Sequence, residues 1–126
     1  MPRTLKKAVT IPRENIQIDA SDRILGRLAV EVAYLLRGKD LPSFAPNLLP
    51  HRKVTLTNVA KMRISEKKRK QKEYWRHSGY PGGIRKKSLE ELFAVHPEKV
   101  FSLAISRMLP NNKLRKVMMR NLEIVR

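Results

Sequence analysis

Cysteine is absent from this chain of 126 residues, tryptophan occurs once, and aromatic residues make up only 6%. Without cysteine there can be no disulfide and no thiolate metal site. That usage suits a reducing compartment without requiring one. Long apolar runs are also missing: nothing approaches the roughly 20 residues a helix needs to span a bilayer. Met1 to Lys7 is basic, but no apolar stretch follows it, so a secretory leader is not expected. A short basic start would also suit an organelle-targeted protein. Acidic residues are scarce, at 11 against 28 Lys and Arg.

That last shortage leaves a formal net charge of +17. Self-repulsion on this scale works against a compact state unless a polyanion compensates it. Nucleic acid is the usual compensator. An anionic membrane surface is the main rival, and an acidic protein partner a further one. The hydrophobic fraction of 41% is ordinary. A chain of this length can bury roughly two-thirds of its unfolded surface, so it can fold without a structural metal.

The chain divides into a basic tail, residues 1–14, and one domain, residues 15–126. Asn15 to Asp19 alternates polar and apolar around Ile16 and Ile18, which predicts a short strand. Ser21 or Asp22 is placed to cap the helix that follows, Arg23 to Arg37. At about 100° per residue, Ile24, Leu25, Leu28, Val32, Leu35 and Leu36 share one arc. Arg23, Arg27, Tyr34 and Arg37 lie on the opposite side, and Gly38 fits the C-cap. Leu41 to Pro50 holds three prolines and reads as a loop.

Lys53 to Asn58 reads as a second strand. Met62 to Ser65 and Glu73 to His77 read as paired strands, with the basic run Lys67 to Lys72 in the loop between them. Ser88-Leu89-Glu90-Glu91 matches a capping box that opens a short helix. Pro97 suits the first turn of another helix, with Val100, Phe101, Ala104, Ile105 and Met108 at helical spacing. Leu114 to Met119 predicts a short basic helix, and Leu122 to Val125 a last strand or extended tail. Strands and helices alternate early and helices dominate later, which argues for an α/β fold with a small parallel sheet.

Three features bear on binding. The run Lys67 to Lys72 places long cationic side chains where they can reach phosphates, and such contacts read phosphate position rather than base identity. Arg107, Lys113, Arg115, Lys116 and Arg120 form a second positive stretch with no acid between them. For both stretches, and for the arginine side of the first helix, the alternative is a solvated surface. The string His77-Ser78-Gly79-Tyr80-Pro81-Gly82-Gly83 can turn sharply and approach another surface closely. His77, Tyr80, Tyr74 and Trp75 could stack on bases or sugars, or fill the edge of the core around a structural turn. The string matches no nucleotide-phosphate loop.

Catalysis has little support. His51, His77 and His96 show no metal-ligand spacing with one another or with an acid. Glu90 and Glu91 are adjacent on a helix and so diverge, and Asp19 at a strand end suits a turn. No G-x-S-x-G element occurs. No enzyme activity, metal, cofactor or small-molecule substrate is expected.

Several blocks, taken in order, resemble the universal large-subunit ribosomal protein L-thirteen family. They are Ile18-Asp19-Ala20, Leu25-Gly26-Arg27-Leu28-Ala29, Leu36-Arg37-Gly38-Lys39, Asn58-Val59-Ala60-Lys61, the string 77–83, and Met108-Leu109-Pro110-Asn111-Asn112. Each block alone is weakly specific; the ordered set spans about residues 15–125. The resemblance implies a three-layer α/β/α domain around a four-stranded, mainly parallel sheet. It also implies binding to large-subunit ribosomal RNA, a part in early subunit assembly, and neighbouring ribosomal proteins as partners. The sequence departs from the pattern at three places. Pro50-His51-Arg52 stands where a Gly-Asp pair is usual, Ser65-Glu66-Lys67-Lys68 where a Thr-Gly-x-Lys turn is usual, and Arg107 where a Gly is usual.

The residues expected to touch RNA are Arg23, Arg27, Arg37, Lys39, Lys61, Lys67, Lys68, Arg69, Lys70, Lys72, Tyr74, His77, Tyr80, Gly82, Gly83, Arg107, Lys113, Arg115, Lys116 and Arg120. The expected setting is the cytoplasmic ribosome, with the mitochondrial ribosome as the alternative, and no homo-oligomer is expected. A free-standing RNA-binding regulator or assembly factor on the same scaffold is the competing function. A peripheral membrane role fits poorly, since a helix buried by its apolar face leaves nothing amphipathic for lipid.

Overall fold

A computed structural model describes residues 14–126. The tail therefore lies outside the described residues, except for Glu14, which opens the first strand. Strand β1 (Glu14–Asp19), helix α1 (Leu25–Arg37) and strand β2 (Arg52–Thr57) form a crossover unit, with β1 and β2 parallel. A second, longer crossover runs from β2 to strand β5 (Leu122–Ile124), which pairs with β2 on its other side, also in parallel. It carries a 3-10 turn (Val59–Lys61), helix α2 (Glu66–Gln71), strands β3 (Glu73–His77) and β4 (Ile84–Ser88), and helices α3 (Leu89–Val95), α4 (Pro97–Met108) and α5 (Leu114–Arg120).

The alternation of side chains sorts the sheet into two faces. Registered partners share a face, so Ile16, Ile18, Val54, Leu56, Leu122 and Ile124 line one side. Val54 and Leu56 on the central strand are fully buried there. Against them pack Leu28, Val32 and Leu36 of α1 and Val100, Phe101 and Ile105 of α4. The other side carries Asn15, Gln17, Lys53 and Glu123, all exposed, with Lys53 bonded to Glu123 at 2.7 Å.

The α/β class and the parallel direction are as the sequence suggests. Two details of the family expectation differ: the parallel sheet has three strands, not four, among the described residues. A helical layer over its polar side is likewise not seen among them.

Helix α1 follows from its sequence with two corrections. It begins at Leu25, not Arg23, and neither Ser21 nor Asp22 caps it. Ile24 is extended, half exposed and outside the core arc, because helical periodicity starts only after it. The turn before it is held instead by Asp19, whose carboxylate accepts from the Ser21 backbone and hydroxyl and from Asn58 Nδ2 at 2.9–3.1 Å. Those bonds, the Ser21 backbone first, hold the Asp19 carboxyl below its ordinary range. At the far end Gly38 adopts φ 70°, and Lys39 N–H bonds back to Tyr34, the pattern that satisfies the last helical carbonyls. A Cβ on Gly38 would stand 2.9 Å from the Pro50 ring, so conformation and packing both select glycine.

Three other elements behave as read. The Ser88 side chain accepts from Glu91 N–H and caps α3, Pro97 starts α4, and α5 forms where a basic helix is predicted.

Two readings in the middle of the chain are corrected. Met62 to Ser65 is not a paired strand: Arg63 makes only an isolated parallel bridge with Ile24. Strand β3 pairs instead with β4, antiparallel, around the 77–83 string. The basic run is not a loop either; Lys67 to Lys70 lie in α2, and Lys72 is its C-cap. Glu, Lys, Arg and Gln are all good helix formers, and the run contains no Gly, Pro or Asn to break it.

Arg52 is the one charged residue among the described residues that is buried. Its Nε donates to Glu14 Oε2 at 2.6 Å, and its terminal nitrogen donates to both Asp40 oxygens at 2.5 and 2.6 Å. The link ties the starts of β1 and β2 to the loop after α1. The Arg52 hydrogen bond holds the Asp40 carboxyl below its ordinary range, against the opposing effect of burial. A carboxyl lowered in the folded state adds stability above its unfolded pKa and loses it as pH falls through the folded one. Asp40→Asn should therefore cost about 1.5–3 kcal/mol at neutral pH, and Glu14→Gln, more exposed, less than about 1 kcal/mol. Urea denaturation across pH should show the Asp40→Asn deficit shrinking once pH falls below the ordinary carboxylate range. A deficit constant down to acid pH would rule out this pair as its source.

Candidate nucleic-acid interface

Two positive stretches far apart in sequence meet at one ring. Tyr74 on β3 is half-buried and packs on the core. The Lys72 ammonium lies 5.8 Å from its centroid and the Arg107 guanidinium 5.7 Å. Lys72 ends α2 and Arg107 lies in the last turn of α4, so the fold brings the 67–72 run and the 107–120 stretch together. Burial pulls the Lys72 ammonium below its ordinary pKa, and the charges of Lys68 and Arg107 add to that. Burial pushes the Tyr74 hydroxyl up, with Arg107 opposing.

A second cluster lies at the C-terminal end of α1. Tyr34, Arg37 and Lys39 share a groove with Met108, the neighbour of Arg107. Arg37 also stands 6.0 Å from the Phe44 ring, and Arg37, Phe44, Pro110 and Asn112 line a second cleft. The end of α4 thus borders both clusters. The Tyr34 hydroxyl donates to the Lys39 carbonyl at 3.3 Å, holding the loop that presents Lys39.

The remaining candidate residues divide by what they touch. Arg27, Lys61, Lys67, Lys68, Lys70, Lys113, Lys116 and Arg120 are exposed. None of these has an ion-pair partner among the described residues. Arg23 is held by Glu31 at 2.5 Å. Arg115 Nε donates to the Pro110 carbonyl at 3.2 Å. Arg69 stands over the Phe93 ring at 5.8 Å, half-buried, so its stem belongs to packing.

His77 and Tyr80 sit at the exposed tip of the hairpin, where Gly79 N–H donates to His77 Nδ1 at 2.8 Å. Gly82 takes φ 71°, and a Cβ on Gly83 would fall 2.0 Å from Ser78 Oγ. The backbone conformation thus selects glycine at 82, and at 83 any Cβ would crowd Ser78 and the Tyr80 carbonyl.

Arg76, Arg85, Lys86 and Lys87 stand outside the set of residues expected from the sequence to touch RNA. All four are exposed on the hairpin, and Arg76 stands directly opposite Arg85. Like charges in that position are destabilising. The available signal was the tripeptide Arg85-Lys86-Lys87 after a glycine-rich turn, which becomes a second basic edge once β3 and β4 are paired. Among the described residues, no group of three or more His, Asp or Glu is placed to hold a metal ion. No helix among them is long and apolar enough to cross a membrane.

The burial of the Lys72 ammonium, with Lys68 and Arg107 beside it, has a testable consequence. A lysine whose folded pKa is lowered makes stability rise with pH between that value and the ordinary one. The Tyr74 ring offsets little of this, being near the outer limit of about 6 Å for such contacts. Lys72→Met keeps the apolar stem and removes the charge. In low salt it should stabilise the RNA-free protein by up to about 0.5 kcal/mol and abolish that alkaline rise, while weakening RNA binding. A lower urea midpoint for Lys72→Met would show that the buried charge does not destabilise the free protein.

The comparisons with known proteins agree with one another. The family described as Ribosomal protein L13 matches residues 13–126. The large ribosomal subunit protein uL13 of Mycobacterium marinum is 46% identical over 124 residues, covering 98% of this chain and 84% of that protein. Its counterpart from Nitratidesulfovibrio vulgaris is 45% identical over 116 residues, covering 92% and 81%. That of Francisella tularensis subsp. novicida is 42% identical over 118 residues, covering 94% and 83%. The matched span includes every described element and both cationic clusters. With its blocks in order and its whole described fold inside that span, this chain belongs to the Ribosomal protein L13 family.

Proposed function

We propose that this chain is a structural constituent of the large ribosomal subunit that binds large-subunit ribosomal RNA and supports early subunit assembly. Family membership supports the setting, and the relatives named above are large-subunit proteins. The observation that carries RNA binding is the convergence of Lys72 and Arg107 on Tyr74, with unpaired cations extending to either side. A net charge of +17 needs a polyanion, and ribosomal RNA supplies one. The bacterial relatives favour a cytoplasmic ribosome, in which the protein acts as a single copy beside other ribosomal proteins. Its role is to position and neutralise RNA, with no chemical step.

Within this reading, Arg27, Arg37, Lys39, Lys61, Lys67, Lys68, Lys70, Lys72, Arg107, Lys113, Lys116 and Arg120 contact phosphates. Arg23, Arg69 and Arg115 act from their anchored positions. Tyr74 serves as the platform that orients Lys72 and Arg107, and Gly82 and Gly83 shape the tip that carries His77 and Tyr80.

Two measurements test the proposal. On sucrose gradients in moderate salt, most of the protein should migrate with the large subunit. A predominantly free pool, unchanged in low salt, would favour a free-standing RNA-binding regulator instead. Replacing Lys67, Lys68 and Lys70 with Ala should weaken binding to a large-subunit RNA fragment without unfolding the protein. For every phosphate left without its cation, the log–log salt slope should fall by somewhat under one unit. An unchanged slope would mean that these side chains are merely solvated.

A further inference from the structure

The β3–β4 hairpin has two chemically different faces. Tyr74, Arg76, Arg85 and Lys87 share one, and Trp75, His77, Ile84 and Lys86 share the other. The first face meets the core through Tyr74 and is otherwise cationic. The second exposes large apolar side chains, Trp75 at 64% and Ile84 at 60% exposed, and in the turn beyond both faces Tyr80 is 77% exposed. Trp75 and Ile84 are diagonal neighbours, within reach of each other. Lys86 stands 5.8 Å from the Trp75 ring and donates to Glu73 at 3.3 Å. A cation is thus fixed beside an open indole.

Such a face in water is unexplained by the fold, since Trp75 takes no part in the core. A protein partner fits it poorly, because the cores of protein interfaces are depleted in Lys, and Lys86 stands beside the indole with Arg76, Arg85 and Lys87 on the reverse face. Charge complementarity points to a polyanion. Duplex RNA hides its base faces within the stack, whereas unpaired bases can splay onto aromatic rings.

We propose that this hairpin binds unpaired RNA: Trp75 on one face and Tyr80 at the tip stack on bases, while Arg76, Arg85 and Lys87 on the other face hold the phosphates of the same strand. The proposal rests on the RNA-binding reading above and narrows it to non-helical RNA at this element. Arg76 and Arg85, which repel each other in the free protein, acquire a shared anionic partner.

Trp75 is the only tryptophan, so intrinsic fluorescence of the full chain reports this face alone. The probes are an unpaired purine-rich oligoribonucleotide, the same strand annealed to its complement, and inorganic polyphosphate. The unpaired strand should quench Trp75 emission strongly. The duplex and polyphosphate should bind, by competition, with little quenching. Trp75→Leu should weaken binding of the unpaired strand about tenfold and leave duplex affinity unchanged, while Trp75→Phe should restore most of the loss. Arg85→Gln should weaken all three ligands and lower their salt dependence. Circular dichroism and urea midpoints should match the unsubstituted protein, since both side chains are exposed.

Equal quenching by all three ligands would overturn the proposal. So would RNA binding that leaves Trp75 emission and the Trp75→Leu affinity unmoved, although the ribosomal reading would then stand. Failure of every ligand to bind would overturn both.

Discussion

Strand β2 is the constraint on which the rest depends. Among the described residues it is the only strand of the parallel sheet bonded on both sides, and Val54 and Leu56 on its inner face are fully buried. Parallel neighbours cannot be joined by tight turns; each needs a long crossover. Once β2 pairs in parallel with β1 and with β5, two excursions must leave the sheet and return. The first contributes Arg27, Arg37 and Lys39 near α1. The second, between β2 and β5, contributes α2, the hairpin and the end of α4, and as a whole this crossover bears most of the exposed cations among the described residues. The binding surface is thus built from connections, while the sheet serves as the fixed frame. Arg52 fixes that frame at one end, where its ion pairs join β1, β2 and the loop after α1. It stands in one of the segments that departs from the family pattern, and the departure brings its own packing, with Pro50 against Gly38.

How much of this was legible follows from how local each signal is. Helix α1, the Ser88 cap and Pro97 at the start of α4 depend on residues a few positions apart, and the sequence shows them plainly. The identity of the strand that pairs with β3 depends on a choice between two neighbours at similar distance. The glycine-rich turn decides it in favour of β4, because Gly79 and Gly82 take the positive φ that a tight reversal needs. Helix α2 was hidden for another reason: its residues carry no apolar periodicity, only propensity. The α1 cations were legible as a face, yet Arg23 was misplaced because the helix starts later than its pattern suggests. The facing of β3 was not legible at all. Tyr74 and Trp75 are equally suited to burial, and only tertiary packing distinguishes them: Tyr74 packs on the core, with Arg107 of α4, some thirty residues away, beside its ring.

The placement of the acids argues for the same division between frame and surface. Around the sheet they pair with cations: Glu14 and Asp40 with Arg52, Glu123 with Lys53. In the second crossover the acids are Glu66, Glu73, Glu90, Glu91 and Glu98. All but Glu73 occupy the first turn of a helix, in α2, α3 and α4. There a carboxylate favours the unsatisfied N–H groups and the positive end of the helix dipole. Glu98 illustrates this, its carboxyl held down chiefly by a backbone N–H at the start of α4. These acids stabilise backbone without neutralising the cations that face outward. A surface arranged only for the stability of the isolated protein would have used them as partners for Lys72, Arg85 or Arg107. Leaving those cations unpaired costs stability in the free state, and the cost is returned only when phosphates take the places that carboxylates could have filled.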